Sequence, residues 1–162
     1  MGMSVTISAA DAAEDAESIL KLQYLCYQRE AEIYQDWSIE PLTQSLAELR
    51  AELVEGTAFV ARLGDEIVAS VRGRLDEDGT VRIAKLIVHP RMQRHGLGGR
   101  LLDAIEGHFA GEPAPAPAKR FQLFTGHRSE GNLRLYRSKG YEQVATREVG
   151  PTLTLVTLEK AA

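Results

Sequence analysis

Residues 86–102 read LIVHPRMQRHGLGGRLL: an apolar run, a proline, a polar turn and glycines at 96, 98 and 99. Leu97, Leu101, Ile105 and Phe109 then recur at helical spacing. Such a segment is a strand that turns sharply into a helix, so it commits the chain to a layered fold of strands and helices. Glycines at that joint let backbone N–H groups point together at the positive end of the helix, which suits a phosphate. Between Arg82 and Leu102 stand Arg82, Lys85, Arg91, Arg94 and Arg100, with His89 and His95 and no carboxylate, although the whole chain has a net charge of −4. A local excess of that sign in an acidic protein predicts an anionic guest such as a pyrophosphate.

The rest of the pattern supplies the other layers. Val5 to Ser8 is strand-like. Ile19, Leu22, Cys26 and Ile33 predict a helix from Asp11, its N-cap, to Glu32. Leu42, Leu46, Leu49 and Leu53 predict a second helix that starts at Pro41 and ends at Gly56 as a C-cap glycine. Three strands follow on short turns, Thr57–Leu63, Ile67–Leu75 and Thr80–Val88, an antiparallel meander. Beyond the glycine joint and its helix, residues 111–118 read GEPAPAPA, an extended proline-rich spacer. The remaining elements are strands Phe121–Thr125, Tyr141–Thr146 and Leu153–Leu158 and a helix Glu130–Ser138, too few for a core of their own. We therefore read the spacer as a loop within a single domain of residues 1–162. A meander combined with a strand–helix–strand crossover predicts an α/β class, α+β in a stricter scheme, with a mixed sheet and helices on both faces.

A chain of 162 residues, 44% hydrophobic and 26% charged, has enough apolar material for one real core. The lone Cys26 allows no internal disulfide, so a reducing, cytoplasmic location is expected. No run approaches the roughly 20 apolar residues that cross a bilayer, and no membrane partner is expected. Gly2 and Thr6 fit the loose myristoylation pattern, but Met3 reads better as the natural start, with Met1 and Gly2 as a leader.

Phosphate loops of known type narrow the reading. A P-loop needs Lys and Ser or Thr after its glycines, and Gly99 is followed by Arg100 and Leu101. A dinucleotide fingerprint needs its three glycines after the first strand of a βαβ unit, which this chain lacks. By contrast, Val88-x-Pro90-x-x-Gln93-Arg94-x-Gly96-Leu97-Gly98 resembles the acyl-CoA signature of the GNAT superfamily of N-acetyltransferases, and Asn132 to Tyr141, NLRLYRSKGY, resembles that family's second stretch. The resemblance covers essentially the whole chain.

That resemblance implies a mostly antiparallel sheet splayed between strands 4 and 5, with acetyl-CoA as cosubstrate and no metal. Backbone groups of Leu86, Ile87 and Val88 would hold the pantetheine arm, and Gln93, Arg94, His95, Gly96, Leu97 and Gly98 the pyrophosphate. The Val88 amide would steady the oxyanion, and Tyr136 would protonate the departing sulfur. Asn132 is a cofactor contact in that stretch, and Gly131 before it also suggests a helix N-cap. The fourth strand has no carboxylate to serve as base, so the base lies elsewhere or acts through water. Glu30, Glu32, Asp36 and Glu40, at the end of the first helix and after it, are candidates.

Thirteen acids against four bases between Asp11 and Glu66 favour a cationic acceptor, a small amine or a protein amino group, and disfavour nucleic acid. The family resemblance also admits a homodimer. His127 faces either the site or solvent, Trp37 either a pocket or the core, and Cys26 the core. Two alternatives stay open: a non-catalytic acyl-CoA-binding sensor, and a transferase of other acyl groups or to oxygen.

Overall fold

A computed structural model describes residues 4–111 and 118–162. The residues expected to be a leader, Met1 and Gly2, and most of the GEPAPAPA spacer lie outside the described residues. The order is β1 (Val5–Ala9), α1 (Ala16–Tyr34), α2 (Glu40–Thr43), α3 (Leu46–Glu55), β2 (Thr57–Leu63), β3 (Glu66–Leu75) and β4 (Thr80–Val88). A 3-10 turn (Pro90–Met92) leads to α4 (Leu97–Gly111), β5 (Arg120–Gly126), α5 (Glu130–Ser138), β6 (Glu142–Glu148) and β7 (Thr154–Ala161). The seven strands form one sheet in the order β1-β2-β3-β4-β5-β7-β6, in which only β4 and β5 run parallel. The expected mixed sheet and its class are found.

Both faces are covered, as the pattern predicts. On one, α4 lays Leu101, Leu102 and Ile105 against Val71, Val81, Phe121 and Leu158. On the other, Ile19 and Leu22 of α1 and Leu49 and Leu53 of α3 pack on Val60, Ile67 and Ile87. Each such side chain, fully buried, contributes about 1.5–3 kcal/mol.

Three local expectations need correction. α1 starts at Ala16, not Asp11, because the Asp11 carboxylate accepts from the amides of Ala13 and Glu14 and closes a separate turn. The second helix is two. Ser45 accepts from the Glu48 amide while Glu48 accepts from the Ser45 amide, and this capping box starts α3 afresh after the short α2. Gly56 is extended rather than left-handed; it is small because a Cβ there would lie 2.7 Å from the Gly73 carbonyl oxygen.

The feature that places the site is a split in the sheet. β4 pairs with β5 only from Thr80 to Arg82, against Arg120 to Gln122. Beyond that, β4 keeps to β3 as far as Val88, and β5 keeps to β7 as far as Gly126. A bulge accompanies the divergence: Ser70 pairs with Ile87 but Arg72 with Ala84, so Lys85 and Leu86 share one position opposite Val71. Lys85 takes a left-handed φ of 52° there. A bulge bends its strand, and this one turns the end of β4 away from β5.

Candidate active site

The walls of the split are the last residues of β4 and β5, and α1 bridges them. Its inner side carries Gln23, Cys26, Tyr27, Glu30 and Tyr34 at helical spacing. At the β4 end, the Cys26 thiol donates to the Val88 carbonyl at 3.4 Å. At the β5 end, the Tyr34 hydroxyl accepts from the Arg128 amide at 2.9 Å and meets Ser129 Oγ at 2.9 Å. Gly126 makes room for it, since a Cβ there would sit 2.0 Å from the Tyr34 hydroxyl oxygen.

Val88 faces the split through its backbone. The His89 amide donates to the Val68 carbonyl at 2.8 Å, which marks that pair as hydrogen-bonded. Antiparallel bonding alternates, so Ala69 and Val88 are a non-bonded pair and the Val88 N–H and C=O point away from β3. Ile87, one step back, spends its backbone groups on Ser70. The Val88 carbonyl is further held by Gln93 Nε2 at 3.3 Å, leaving the N–H as the directed donor.

The loop after Val88 is shaped by two left-handed residues, Arg94 (φ 69°) and Gly96 (φ 75°). A Cβ on Gly96 would meet no atom within 4 Å, so backbone can be approached closely there. Gly98 is different: a Cβ would lie 3.0 Å from Leu135, which makes it a packing glycine between α4 and α5. The Arg100 amide is bonded to the Gly96 carbonyl, so the Leu97, Gly98 and Gly99 amides ahead of it are the orphan donors of α4. The His95 ring lies against the Met92 and Gln93 carbonyls, 3.1 and 3.0 Å away, and is otherwise exposed. Three of the five cations of this stretch are paired: Arg82 with Asp76, Lys85 with Glu40 and Glu52, and Arg91 with Glu66. Arg94 and Arg100 have no acidic partner among the described residues.

On the far wall, Tyr136 of α5 is 5% exposed. Burial, and after it the charge of Glu30, raises its hydroxyl above the usual tyrosine range, so it holds its proton. Asn132 lies inside α5 and donates to Thr125 Oγ1 at 3.2 Å; the N-cap position belongs to Ser129, not to Asn132.

The four acids named as candidate bases do not gather at one place. Asp36 is bonded to Ser38, Glu40 is paired with Lys85 at 2.8 Å, and Glu32 is exposed. Glu30 alone turns inward, accepting from Ser129 Oγ at 2.8 Å. Trp37 is 51% exposed and lines no core. His127 is exposed, with Nδ1 accepting from the Thr154 amide at 3.1 Å. Burial pushes the Cys26 thiol up to about 12, which fits an inert packing role.

Sequence reasoning missed a buried polar network beneath the site. Arg72 donates to Glu52 at 2.8 Å, Gln23 at 2.8 Å and Gln44 at 2.9 Å, and Lys85 joins Gln44 and Glu52. An arginine at an inward position of a central strand, A-S-V-R in β3, was the available signal. Ser129 and Tyr34 gave none, being joined to their partners across about a hundred residues.

The acetyltransferase (GNAT) family model matches residues 16–141. Among solved structures, the fold is similar to the ribosomal-protein-S18-alanine N-acetyltransferase of Escherichia coli, with a TM-score of 0.78, 13% identity, and coverage of 98% of this chain and 94% of that one. It is also similar to the PaiA N-acetyltransferase of Thermoplasma acidophilum in complex with coenzyme A, with a TM-score of 0.78, 15% identity, and 99% and 100% coverage. A third, a GNAT family acetyltransferase of Elizabethkingia anophelis with acetyl-CoA bound, gives a TM-score of 0.72, 19% identity and 98% coverage of both chains. Among curated proteins no sequence matches. The family match takes in the chain from the start of α1 to the residue before β6, and the chain belongs to the GNAT family of acetyltransferases.

Proposed function

We propose that this acetyltransferase moves the acetyl group of acetyl-CoA directly onto a primary amine, carried by a small cationic molecule or by a protein, with residues 1–162 working as one domain. The observation that carries the reading is the split itself: a backbone N–H of Val88 on one wall and the buried hydroxyl-bearing ring of Tyr136 on the other. The residues fit acetyl-CoA. The free edge of β4 would take the arm, and the backbone at Gly96 and the orphan amides of α4 would hold the phosphates, with Arg94 and Arg100 nearby. When bound, acetyl-CoA supplies a thioester carbonyl open to a neutral amine.

The chain's own groups do the rest. The Val88 N–H donates to the carbonyl oxygen as it gains charge, a contact worth most in a site closed to water. Tyr136, kept protonated by burial, gives its proton to sulfur as the carbon–sulfur bond breaks. Asn132, tied to Thr125 at the end of β5, lines the same wall as a cofactor contact.

Release of free thiol from acetyl-CoA with a panel of amines tests the reading. Thiol release that depends on an amine supports it. Coenzyme A binding with no thiol release from any amine identifies a non-catalytic acyl-CoA sensor instead.

A further inference from the structure

We propose that Glu30 is the base of this site, holding the acceptor's ammonium group over the split between β4 and β5 and taking its proton. This rests on the acetyltransferase reading above.

The helix places Glu30 where an acceptor must come. Cys26, about one turn earlier on the same side of α1, touches the Val88 carbonyl, so Glu30 stands about 6 Å further along the axis, over the split. Tyr34, one turn later, is fixed to the β5 wall. Glu30 thus lies between the two walls.

Its hydrogen bonding leaves it half free. Ser129 Oγ donates its one hydrogen to Glu30 Oε2, so the Tyr34 hydroxyl, which accepts from the Arg128 amide, donates its own hydrogen to Ser129 Oγ. The chain ends on the Glu30 carboxyl as acceptor. Oε1 has no hydrogen-bond partner among the described residues, and no Lys, Arg or His nitrogen there lies within 4.0 Å of Glu30.

The groups facing it from each side leave the cation's place to a ligand. From α1 come Tyr27 and Tyr34, and from α5 comes Tyr136; the charge of Glu30 raises all three, after burial. From the turn before α5, the Arg128 guanidinium is bonded outward to the Ile33 carbonyl at 3.2 Å, and His127 beside it is held at Thr154. From β3, Arg72 is engaged by Glu52. A partly buried carboxylate without a counter-ion is costly unless something positive arrives.

The proton traffic balances. An ammonium sheds two protons on becoming an amide. Glu30 takes the first and releases it to water, freeing the lone pair that bonds the acetyl carbon. The carbon–sulfur bond breaks with its electron pair on sulfur, and Tyr136 gives sulfur its proton. Glu30 takes the second proton from nitrogen and passes it to the Tyr136 oxygen, which restores both groups.

The experiment compares wild type with Glu30→Gln and Glu30→Asp, using butylamine and methoxyamine as acceptors at pH 7 and calorimetry for coenzyme A. Gln keeps an oxygen for Ser129, so the shape of the site survives. Butylamine is protonated at pH 7, as a lysine is with its pKa of about 10.4, whereas methoxyamine is already neutral. We expect Glu30→Gln to lower kcat/KM for butylamine by about 10² or more, with much less loss for methoxyamine, partial recovery in Glu30→Asp and coenzyme A affinity unchanged within about threefold. A loss below threefold with butylamine, or an equal loss with both amines, overturns the assignment while leaving the acetyltransferase reading intact. A wild type that transfers acetyl to no amine of the panel overturns both.

Discussion

Replacing Tyr136 by Phe removes one oxygen from a ring that is otherwise held by packing, so it separates the ring's two uses. In the proposed reaction the hydroxyl acts only as sulfur departs, and we expect Tyr136→Phe to lower kcat by 10²–10⁴ while coenzyme A affinity, read by calorimetry, stays close to wild type. The direction of its shift also fixes a pH effect. Burial and the Glu30 charge move the hydroxyl above the usual value of about 10, so activity followed between pH 7 and 10 should show no falling limb from loss of the Tyr136 proton. At Gly96 the left-handed φ of 75° and the room for close approach both argue against a side chain. Gly96→Val should weaken coenzyme A binding severely, by tenfold or more. Gly107→Ala on α4, where a Cβ also meets nothing within 4 Å but φ is helical, should leave affinity unchanged and serves as the control.

At the scale of elements, α1 is the strap across the split, and its far end is fastened by Tyr34 above Gly126. A Cβ at residue 126 would lie 2.0 Å from the tyrosine oxygen and 2.4 Å from Cζ, both nearly immobile in a ring 2% exposed. We expect Gly126→Ala to cost about 1–3 kcal/mol in urea unfolding, and Gly126→Ala with Tyr34→Leu to cost less than the two single changes added together. The strands and the glycine joint could be read from the sequence because their signals are local: a period of two, short turns, and glycines at a strand end. Ser45 and Glu48 were equally local, a capping box in plain view, yet the leucine repeat running through them suggested one helix. Asp11 misled because its side chain serves a turn as readily as a helix. The split between β4 and β5 was expected from family resemblance alone, for nothing in the alternation of either strand says where pairing stops. The tie of Glu30 to Ser129 was hidden for the same reason: it joins residues 99 positions apart.

Across the whole molecule, the network of Arg72, Lys85, Glu52, Gln23 and Gln44 joins β3 and β4 to α1 and α3. Burial opposes charge on Glu52, but Arg72 and Lys85 override it and hold the carboxyl below the ordinary glutamate range. A group whose folded value is depressed stabilises the fold above its unfolded value, about 4.3, and that contribution is lost as pH falls through the folded value. The urea midpoint should therefore drop more steeply below about pH 4.3 in wild type than in Glu52→Gln, which starts lower at neutral pH because Arg72 is left with a weaker partner. The two halves of the sheet, however, share only three paired positions, Thr80 to Arg82 against Arg120 to Gln122. Few rungs hold them together, so the C-terminal strands form a unit that opens more readily than the meander, and amide hydrogen exchange should show β5–β7–β6 exchanging ahead of β2–β3. A ligand arm lying along the free edges would supply the missing rungs. At about 100 times its dissociation constant it would add roughly 2.7 kcal/mol to the folded state, and exchange would slow in β6, far from any atom that reacts.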